Sequence, residues 1–274
     1  MLKFFQNLDQ RYYQMAFLLS LFVYAKFVIG LPHMEWWYVA TIFISIQLFQ
    51  YHFSKVFSVL YDWRSPFISG TAITILMATR SFAAAVFVAF FTIALKFLVR
   101  YNGKHIFNPN NISIVLTVLT FPTIAKIAPY QWGLNSISAA IFVVLAGIVV
   151  SRSVKSYDVA VYFYVLYGAS MFAFSQAGLF SGSLLLHMIS IPITLFTFFM
   201  ITDPRVIPNT TEGRFVFALL TVFVSNLIYI FTSFAPAFIF ALPFSSLITP
   251  LIDSYFGGKN FQWKKGTIRD ALKP

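Results

Sequence analysis

Long apolar stretches separated by short polar segments run through almost the whole chain, and this pattern constrains the fold more than any other feature. Because 59% of the 274 residues are hydrophobic and 10% are charged, one water-soluble core could not enclose their apolar surface. The pattern therefore predicts an integral membrane protein. A helix that spans a bilayer needs about 20 mainly apolar residues. That length predicts ten candidate segments, of which the third is short: 14–31, 37–54, 66–79, 82–99, 110–128, 134–150, 159–176, 183–201, 215–232 and 237–252.

These segments predict an all-α fold, a polytopic membrane helical bundle in two related halves. Two Ser-Gly pairs, at Ser69 and Ser181, indicate the halves, because each opens a short segment that leads to a polar Pro motif. Such interrupted segments in matching positions mark the central site of transport-type folds. The same pairs are equally well explained as close helix contacts. The predicted divisions are a cytoplasmic tail over 1–13, a membrane domain over 14–252 and a basic cytoplasmic tail over 253–274.

Basic residues are distributed unevenly over the predicted loops. With the N-terminus inside, 16 of the 19 Lys and Arg residues fall on the inner side, and Lys26, Arg80 and Lys126 are the exceptions. The positive-inside rule therefore predicts a multi-pass protein of the bacterial inner membrane with both termini in the cytoplasm. The net charge of +11 then reflects topology and contact with anionic lipid, so no nucleic-acid partner is expected.

A first polar cluster follows the fourth segment and runs from Arg100 to Asn111. Lys96, Arg100 and Lys104 recur at a spacing of four, which on a helix forms one basic stripe that reaches the inner surface. One interpretation is a binding surface for a phosphate. The other is ordinary snorkelling of long cationic side chains toward water.

The same cluster ends in polar residues that suit a helix start. His105 and Asn108 come first, and Asn110 and Asn111 follow Pro109, where they are positioned to cap the next helix. The exposed N–H groups of a helix start bind anions or carbonyl groups. The cluster therefore predicts a pocket for a phosphate or for the polar edge of a planar ring, with a simple Asn cap as the alternative.

A second polar cluster, residues 201–209, follows the eighth segment. Asp203 comes directly after an apolar run, and a carboxylate at a helix C-terminus needs a compensating partner. Arg205 and Arg214 are the nearest candidates, and an Asp-Pro turn locked by one salt bridge is the alternative.

Other polar groups give weaker signals. Arg80 lies between the third and fourth segments, where it either holds a ligand or snorkels to the outer surface. The chain has no Cys, and neither metal-ligand spacing nor a Ser-His-Asp order is found, so no metal site is expected and catalytic residues stay unidentified. The candidate binding residues are Arg80, Lys96, Arg100, His105, Asn108, Asn110, Asn111, Asp203 and Arg205.

The two clusters resemble a known family. The matching runs are Ile73 to Arg80, Leu95 to Asn111 and Phe198 to Arg205, with Pro208 and Gly213-Arg214 after them. They resemble the NqrB/RnfD family, membrane subunits of the sodium-translocating NADH:quinone reductase and of the Rnf electron-transport complex, and above all its UnbU-like enediyne biosynthesis branch. The resemblance implies a ten-helix, two-repeat fold similar to urea transporters and, in the redox subunits, a bound flavin.

One departure from that family bears on the cofactor. The redox subunits carry FMN on a Thr of a Ser-Gly-Ala-Thr sequence, whereas the nearest sequence here is Tyr167-Gly-Ala-Ser170, inside a predicted span. Covalent FMN is therefore not expected, and non-covalent FMN, riboflavin, a quinone or a small solute stay open as ligands. Two functions follow. The chain is either a membrane electron-transfer subunit, whose partners would be other redox-complex subunits or a flavoprotein, or a transporter or channel for small solutes.

Overall fold

Helices make up most of the computed structural model, which describes residues 9–128, 137–153, 156–232 and 236–261. Two π-helical segments, Tyr24–Ile29 and Phe196–Met200, directly follow the α-helices Gln10–Val23 and Ile191–Leu195. The α-helices of the described residues are α1 Gln10–Val23, α2 Trp36–Val56, α3 Arg64–Leu76, α4 Phe82–Leu98, α5 Pro109–Thr120, α6 Ile137–Ser153, α7 Tyr157–Gln176, α8 Leu184–Met188, α9 Ile191–Leu195, α10 Thr211–Thr232 and α11 Ala237–Phe256. The strands are β1 Met77–Thr79, β2 Arg100–Tyr101, β3 Lys104–His105 and β4 Ala125–Ile127.

The chain is a helical membrane protein. Four helical segments of the described residues have the length and apolar composition to cross a membrane: Arg11–Ile29, Tyr157–Gln176, Thr211–Thr232 and Ala237–Phe256. Each of the ten predicted segments overlaps a helix, but ten spans stay a prediction, because several helices are short. The 13 residues of α3, for instance, extend about 20 Å, less than the hydrocarbon thickness of about 30 Å.

A short strand pair joins the ends of the two short helices α3 and α5. Strand β1 directly follows α3 and pairs antiparallel with β4, which follows α5, so that Met77 faces Ile127 and Thr79 faces Ala125. Apart from the exposed Lys126, the residues of both strands are buried. The pairing satisfies backbone groups that would otherwise be unpaired where the helices stop, which is the condition for irregular backbone inside a membrane protein.

The helices pack largely within two groups. In the first, α2 lies against α3 and α4, and α4 lies against α5. In the second, α10 lies against α7 and α11, and α6 lies against α9. Helix α1 lies against α3 of the first group. The two groups meet where α1 contacts α6 and where α5 contacts α11. The two polar clusters lie in loops of different groups, and this junction brings them together.

The Ser-Gly pairs do not play matching roles. Ser69 lies inside α3, which begins at Arg64, whose N–H donates to the Asp62 carboxylate at 3.1 Å. Gly70 packs against Phe43 and Ile46, so the pair at Ser69 serves close helix contact and does not open a segment.

Helix α11 contains Pro243 and Pro250 and extends to Phe256, four residues past the predicted boundary at 252. A proline removes the backbone donor that would reach the carbonyl four residues earlier. In α11 the carbonyl of Ile239 instead accepts the Asn111 Nδ2 at 3.0 Å. This bond fixes the start of α5 against α11 and accounts for the burial of Asn111.

Candidate functional site

One cavity of about 340 Å³ lies between the two polar clusters. Its volume is within the range of small-molecule binding sites. Seven of the nine candidate residues line it: Lys96, Arg100, His105, Asn108, Asn110, Asp203 and Arg205. The structure therefore brings together the side chains that the sequence placed in two separate loops.

One face of α3 lines the cavity from end to end. Ser65 and Ser69 lie toward the loop end of the helix, and Ala72 and Leu76 lie deeper. Eleven residues of helix separate Ser65 from Leu76, so this wall is about 16 Å long. The buried strand β1 begins directly after Leu76. The cavity is thus polar near the loops and apolar at depth.

Aromatic rings form a second wall. Phe97, Phe198 and Phe199 line the cavity, and Phe199 stacks on Phe17 with ring centroids 4.3 Å apart and planes 7° apart. Flat apolar surfaces of this kind are typical of sites for planar ring systems, which gain both buried area and stacking.

A β-hairpin carries part of the first cluster, where the sequence predicted a helical basic stripe. Helix α4 ends at Leu98, and strands β2 and β3 pair around Asn102 and Gly103, whose φ angles are 47° and 80°. Asn-Gly at positive φ is the preferred tight turn between two strands. The predicted stripe is therefore wrong beyond α4, and this dipeptide was the sequence signal for the turn.

Side-chain contacts bind the hairpin to the second polar cluster and to α11. Lys104 Nζ donates to the Ile207 carbonyl at 2.6 Å and lies 2.7 Å from the Asp253 carboxylate, away from the cavity. Arg205 donates to the Gly103 carbonyl at 3.1 Å. These bonds across the two clusters fix the hairpin against the loop that carries Asp203.

His105 is a buried titratable group at the cavity. It is 6% exposed, and its Nδ1 has no hydrogen-bond partner within the described residues. Burial, and then the positive charges of Arg205, Arg100 and Lys96, lower the pKa of His105 to about 3. The imidazole is therefore neutral at physiological pH and offers a free nitrogen.

Asn108, and neither Asn110 nor Asn111, caps α5. Its Oδ1 accepts the N–H groups of Asn110 and Asn111, both at 3.1 Å, and its Nδ2 donates to the Met200 carbonyl at 3.1 Å. The sequence misassigned the cap because Pro109, with its fixed φ, takes the first helical position and leaves the cap to the residue before it. Asn111 lies outside the cavity and its side chain bonds to α11, whereas Asn110 Oδ1 is buried at the cavity without a partner among the described residues.

Asp203 forms the predicted turn but not the predicted salt bridge. Its Oδ1 accepts the Arg205 backbone N–H at 3.0 Å, and no ion pair of Asp203 occurs in the described part of the chain. Arg214 instead pairs with Asp158 at 2.7 Å. Burial raises the pKa of the Asp203 carboxyl above its usual range, against the opposing effects of the Arg205 backbone hydrogen bond and charge.

Arg80 does not belong to this site. It is exposed after β1, at the opposite end of α3 from Ser65, which agrees with the snorkelling alternative. No group of three or more His, Asp or Glu residues that could hold a metal is found among residues 9–128, 137–153, 156–232 and 236–261.

The sequence did not reveal one charged network at the cavity rim. Arg11 contacts both Asp9 and Asp62, and Arg64 contacts the same two carboxylates, at 2.8 Å for Asp62. Although burial raises it, the pKa of Asp62 is held below its usual value by the hydrogen bond from Arg64 and the charge of Arg11. Asp9 and Asp62 are far apart in the chain, so no local pattern indicated that they share partners.

Comparisons with known proteins agree with the motif resemblance. The model of the NQR2, RnfD, RnfE family matches residues 126–262, half of the chain. The D component of a proton-translocating ferredoxin:NAD(+) oxidoreductase complex from Clostridium ljungdahlii is 27% identical over 120 residues, which are 43% of this chain and 36% of that protein. The D component of an ion-translocating oxidoreductase complex from Shewanella loihica is 38% identical over 71 residues, 26% of this chain and 20% of that protein. The chain thus matches about a third and a fifth of the length of these relatives.

Proposed function

Because the chain belongs to the NQR2, RnfD, RnfE family, we propose that it is a membrane subunit of an ion-translocating electron-transport system of the bacterial inner membrane. In this proposal a flavin or a quinone occupies the cavity between the two polar clusters. The observation that carries the proposal is the cavity itself, which combines an aromatic wall with a polar end where both clusters meet.

The residues present fit such a group. Phe198 and Phe199 offer a flat surface for a ring, and His105 Nδ1 and Asn110 Oδ1 are buried polar atoms without partners among the described residues. Buried polar atoms are normally paired, so a ligand with a polar edge would satisfy them. A bound flavin or quinone supplies the redox chemistry, while the chain orients the ring and excludes water from it.

The ligand is reversible in this proposal. Ser170, the nearest match to the flavin-bearing Thr, lies within α7, a candidate membrane span. Its hydroxyl donates to the Tyr167 carbonyl at 2.8 Å, and Asn226 Oδ1 lies 3.3 Å from the same Oγ. A hydroxyl held inside a membrane helix is a poor acceptor for a modifying enzyme, and covalent FMN is therefore not expected.

The names of the relatives bear on partners. Both relatives are components of multi-subunit oxidoreductase complexes. We propose that this chain likewise works with other membrane redox subunits, or receives electrons from a flavoprotein, at its cytoplasmic face.

The transporter alternative requires a path across the membrane. The cavity follows α3 only to Leu76, after which the backbone continues into the buried strand pair of β1 and β4. Deeper hydroxyls such as those of Thr92 and Ser113 bond to each other at 2.6 Å. Among the described residues the cavity lining does not continue past Leu76, as expected for a site that retains its ligand, and this supports the redox function.

Extraction of bound molecules tests the proposal. Protein purified in detergent would be denatured, and the released small molecules identified by mass spectrometry, with flavin absorbance measured before denaturation. We expect a flavin or a quinone in near-stoichiometric amount. Leu76→Trp, which fills the deep end, should lower the content about tenfold, since overpacking costs about 1–3 kcal/mol.

Leu145→Trp is the matched control, because Leu145 is exposed on α6 and lies outside the cavity. It should leave the content unchanged. Absence of flavin and quinone from the wild-type protein, together with solute uptake by reconstituted vesicles, would overturn the redox function in favour of the transporter.

A further inference from the structure

Three basic side chains at the polar end of the cavity, those of Lys96, Arg100 and Arg205, form no salt bridge in the described part of the chain. Lys96 donates to Gln50 Oε1 at 2.8 Å and to Ser65 Oγ at 2.6 Å. Arg100 Nε donates to the Lys96 carbonyl at 2.6 Å, and Arg205 donates to the Gly103 carbonyl. All the acceptors are neutral. Arg11, Arg64 and Arg214, in contrast, each contact a carboxylate.

The three positive charges act on one region. The pKa of His105 is lowered first by burial and then by the charges of Arg205, Arg100 and Lys96. Two carboxylates line the cavity, but Asp62 is already bound by Arg11 and Arg64. Asp203 is then the one carboxylate of the lining without a salt bridge of its own, among the residues that the structure describes.

The two arginines also keep donors free. A guanidinium has five N–H donors. With the residues that the structure describes, the Arg100 guanidinium makes one hydrogen bond, through Nε, and the Arg205 guanidinium makes one, through a terminal nitrogen. A planar pair of terminal N–H groups binds oxyanions in a bidentate manner. A neutral ligand would cover these charges without compensating them, which is costly.

We propose that the polar end of the cavity binds a phosphate monoester through Arg100, Arg205 and Lys96, next to the aromatic wall. The inference rests on the proposed function and narrows it. Among the ligands that function leaves open, FMN carries this group, and riboflavin and quinones do not. A phospholipid with a monoester headgroup, such as phosphatidic acid, is a second source of the same chemistry.

Paired titrations test the phosphate. Protein washed free of ligand and reconstituted in phosphatidylcholine nanodiscs would be titrated with FMN and with riboflavin, with flavin fluorescence as the readout. We expect FMN to bind at least about tenfold more tightly, since one lost charge-assisted contact changes affinity by about that factor. Arg100→Gln and Arg205→Gln should each weaken FMN binding about tenfold and leave riboflavin binding unchanged.

Two further variants separate charge from folding. Arg80→Gln removes an exposed arginine outside the cavity and should alter neither affinity. Arg205→Lys keeps the positive charge but loses the planar pair of N–H donors, so it should retain part of the difference in affinity between FMN and riboflavin. A monodisperse elution profile for each variant shows that it is folded.

The outcomes distinguish the inference from the proposed function. Equal affinity for FMN and riboflavin, with both Gln variants unaffected, would overturn the phosphate site and leave flavin binding intact. If neither flavin binds, the proposed flavin function fails, and native mass spectrometry in nanodiscs that contain phosphatidic acid decides the phosphate site. If the wild-type protein retains phosphatidic acid and the Arg100→Gln and Arg205→Gln variants lose it, the phosphate site takes a lipid. If the wild-type protein retains no phosphatidic acid either, the phosphate site is overturned.

Discussion

At the scale of single residues, Asn108 connects the two polar clusters. Its carboxamide oxygen caps α5, and its nitrogen donates to the Met200 carbonyl of the other cluster. Removing the side chain therefore leaves two helix N–H groups and one carbonyl without this hydrogen-bond partner. Because Asn108 is only 7% exposed, water does not readily replace it.

Replacement of Asn108 by Ala should lower the free energy of unfolding by about 1–2 kcal/mol, because the cap is lost. Asn108→Asp keeps the cap oxygen but loses the donor to Met200, so an intermediate loss is expected. Thermal melting in detergent measures the difference. Asn110→Ala serves as control, since Asn110 Oδ1 has no partner in the described residues, and it should melt like the wild type. An Asn108→Ala protein as stable as Asn110→Ala would contradict the cap.

His105 predicts an acid-sensitive stability. Its pKa is about 3 in the folded protein against an ordinary 6.5, so below pH 6.5 the unfolded chain binds a proton that the folded chain excludes. Stability therefore falls as the pH falls, over the window from about 6.5 to 3. Between pH 7 and pH 5 the contribution of His105 amounts to about 2 kcal/mol.

The measurement is the unfolding free energy of the wild type and of His105→Gln at both pH values. The variant lacks the titrating imidazole, so between pH 7 and pH 5 its unfolding free energy should fall by about 2 kcal/mol less than that of the wild type. Other titrating groups are shared by the two proteins and cancel in the comparison. Parallel pH profiles for the two proteins would show that His105 is not a suppressed base.

At the scale of elements, apolar length was a good guide to where helices lie, because each long apolar run must satisfy its backbone within itself in a membrane. That reasoning ended the fourth segment at 99, close to the observed end of α4 at Leu98. The basic stripe predicted from the spacing of Lys96, Arg100 and Lys104 was wrong beyond α4. Spacing by four is compatible with a helix but does not require one, whereas Asn102-Gly103 favours a turn. Seven of the nine candidate residues line one cavity, and they were recognisable as candidates because polar groups in an apolar chain are rare. Their hydrogen-bond partners could not be predicted from local patterns, since those lie up to 128 residues away, as between Asn111 and Ile239.

The Lys104–Asp253 pair joins the hairpin to α11, and its two side chains are 9% and 17% exposed. Breaking such a pair leaves one charge buried without its partner, which costs about 3 kcal/mol. Lys104→Met and Asp253→Leu should each destabilise the protein by about that much. The double variant removes both charges and should be more stable than the sum of the single losses predicts.

A double-mutant cycle of unfolding free energies measures this coupling. Lys55→Met is the control, because Lys55 is exposed over the ring of Tyr51 and should change stability by less than about 0.5 kcal/mol. Strictly additive losses would mean that hairpin and helix are not coupled through these charges.

At the scale of the whole molecule, the site depends on two groups of helices that each contribute one loop. Neither loop forms the cavity alone, since its lining combines Asp203 and Arg205 from one loop with residues from α3, α4 and the hairpin. The Asp9, Arg11, Asp62 and Arg64 network adds the start of α1 to the same rim. The loop that carries Arg100 must therefore lie on the same side of the membrane as the loop that carries Arg205, whichever side that is.

The positive-inside rule predicts that this side is the cytoplasm, and because the sequence contains no Cys, single introduced cysteines test the prediction directly. Single cysteines at Tyr101, which is exposed in the hairpin, and at Thr211, exposed at the start of α10, should react with a membrane-impermeant maleimide only in inverted vesicles. A cysteine at the exposed Lys126, on the strand pair at the opposite end of α3, should react in intact spheroplasts. Labelling of Tyr101 and Thr211 from opposite sides would contradict the shared cavity. Labelling of both from outside would leave the cavity intact but reverse the protein in the membrane, and its electron partner would then have to be periplasmic.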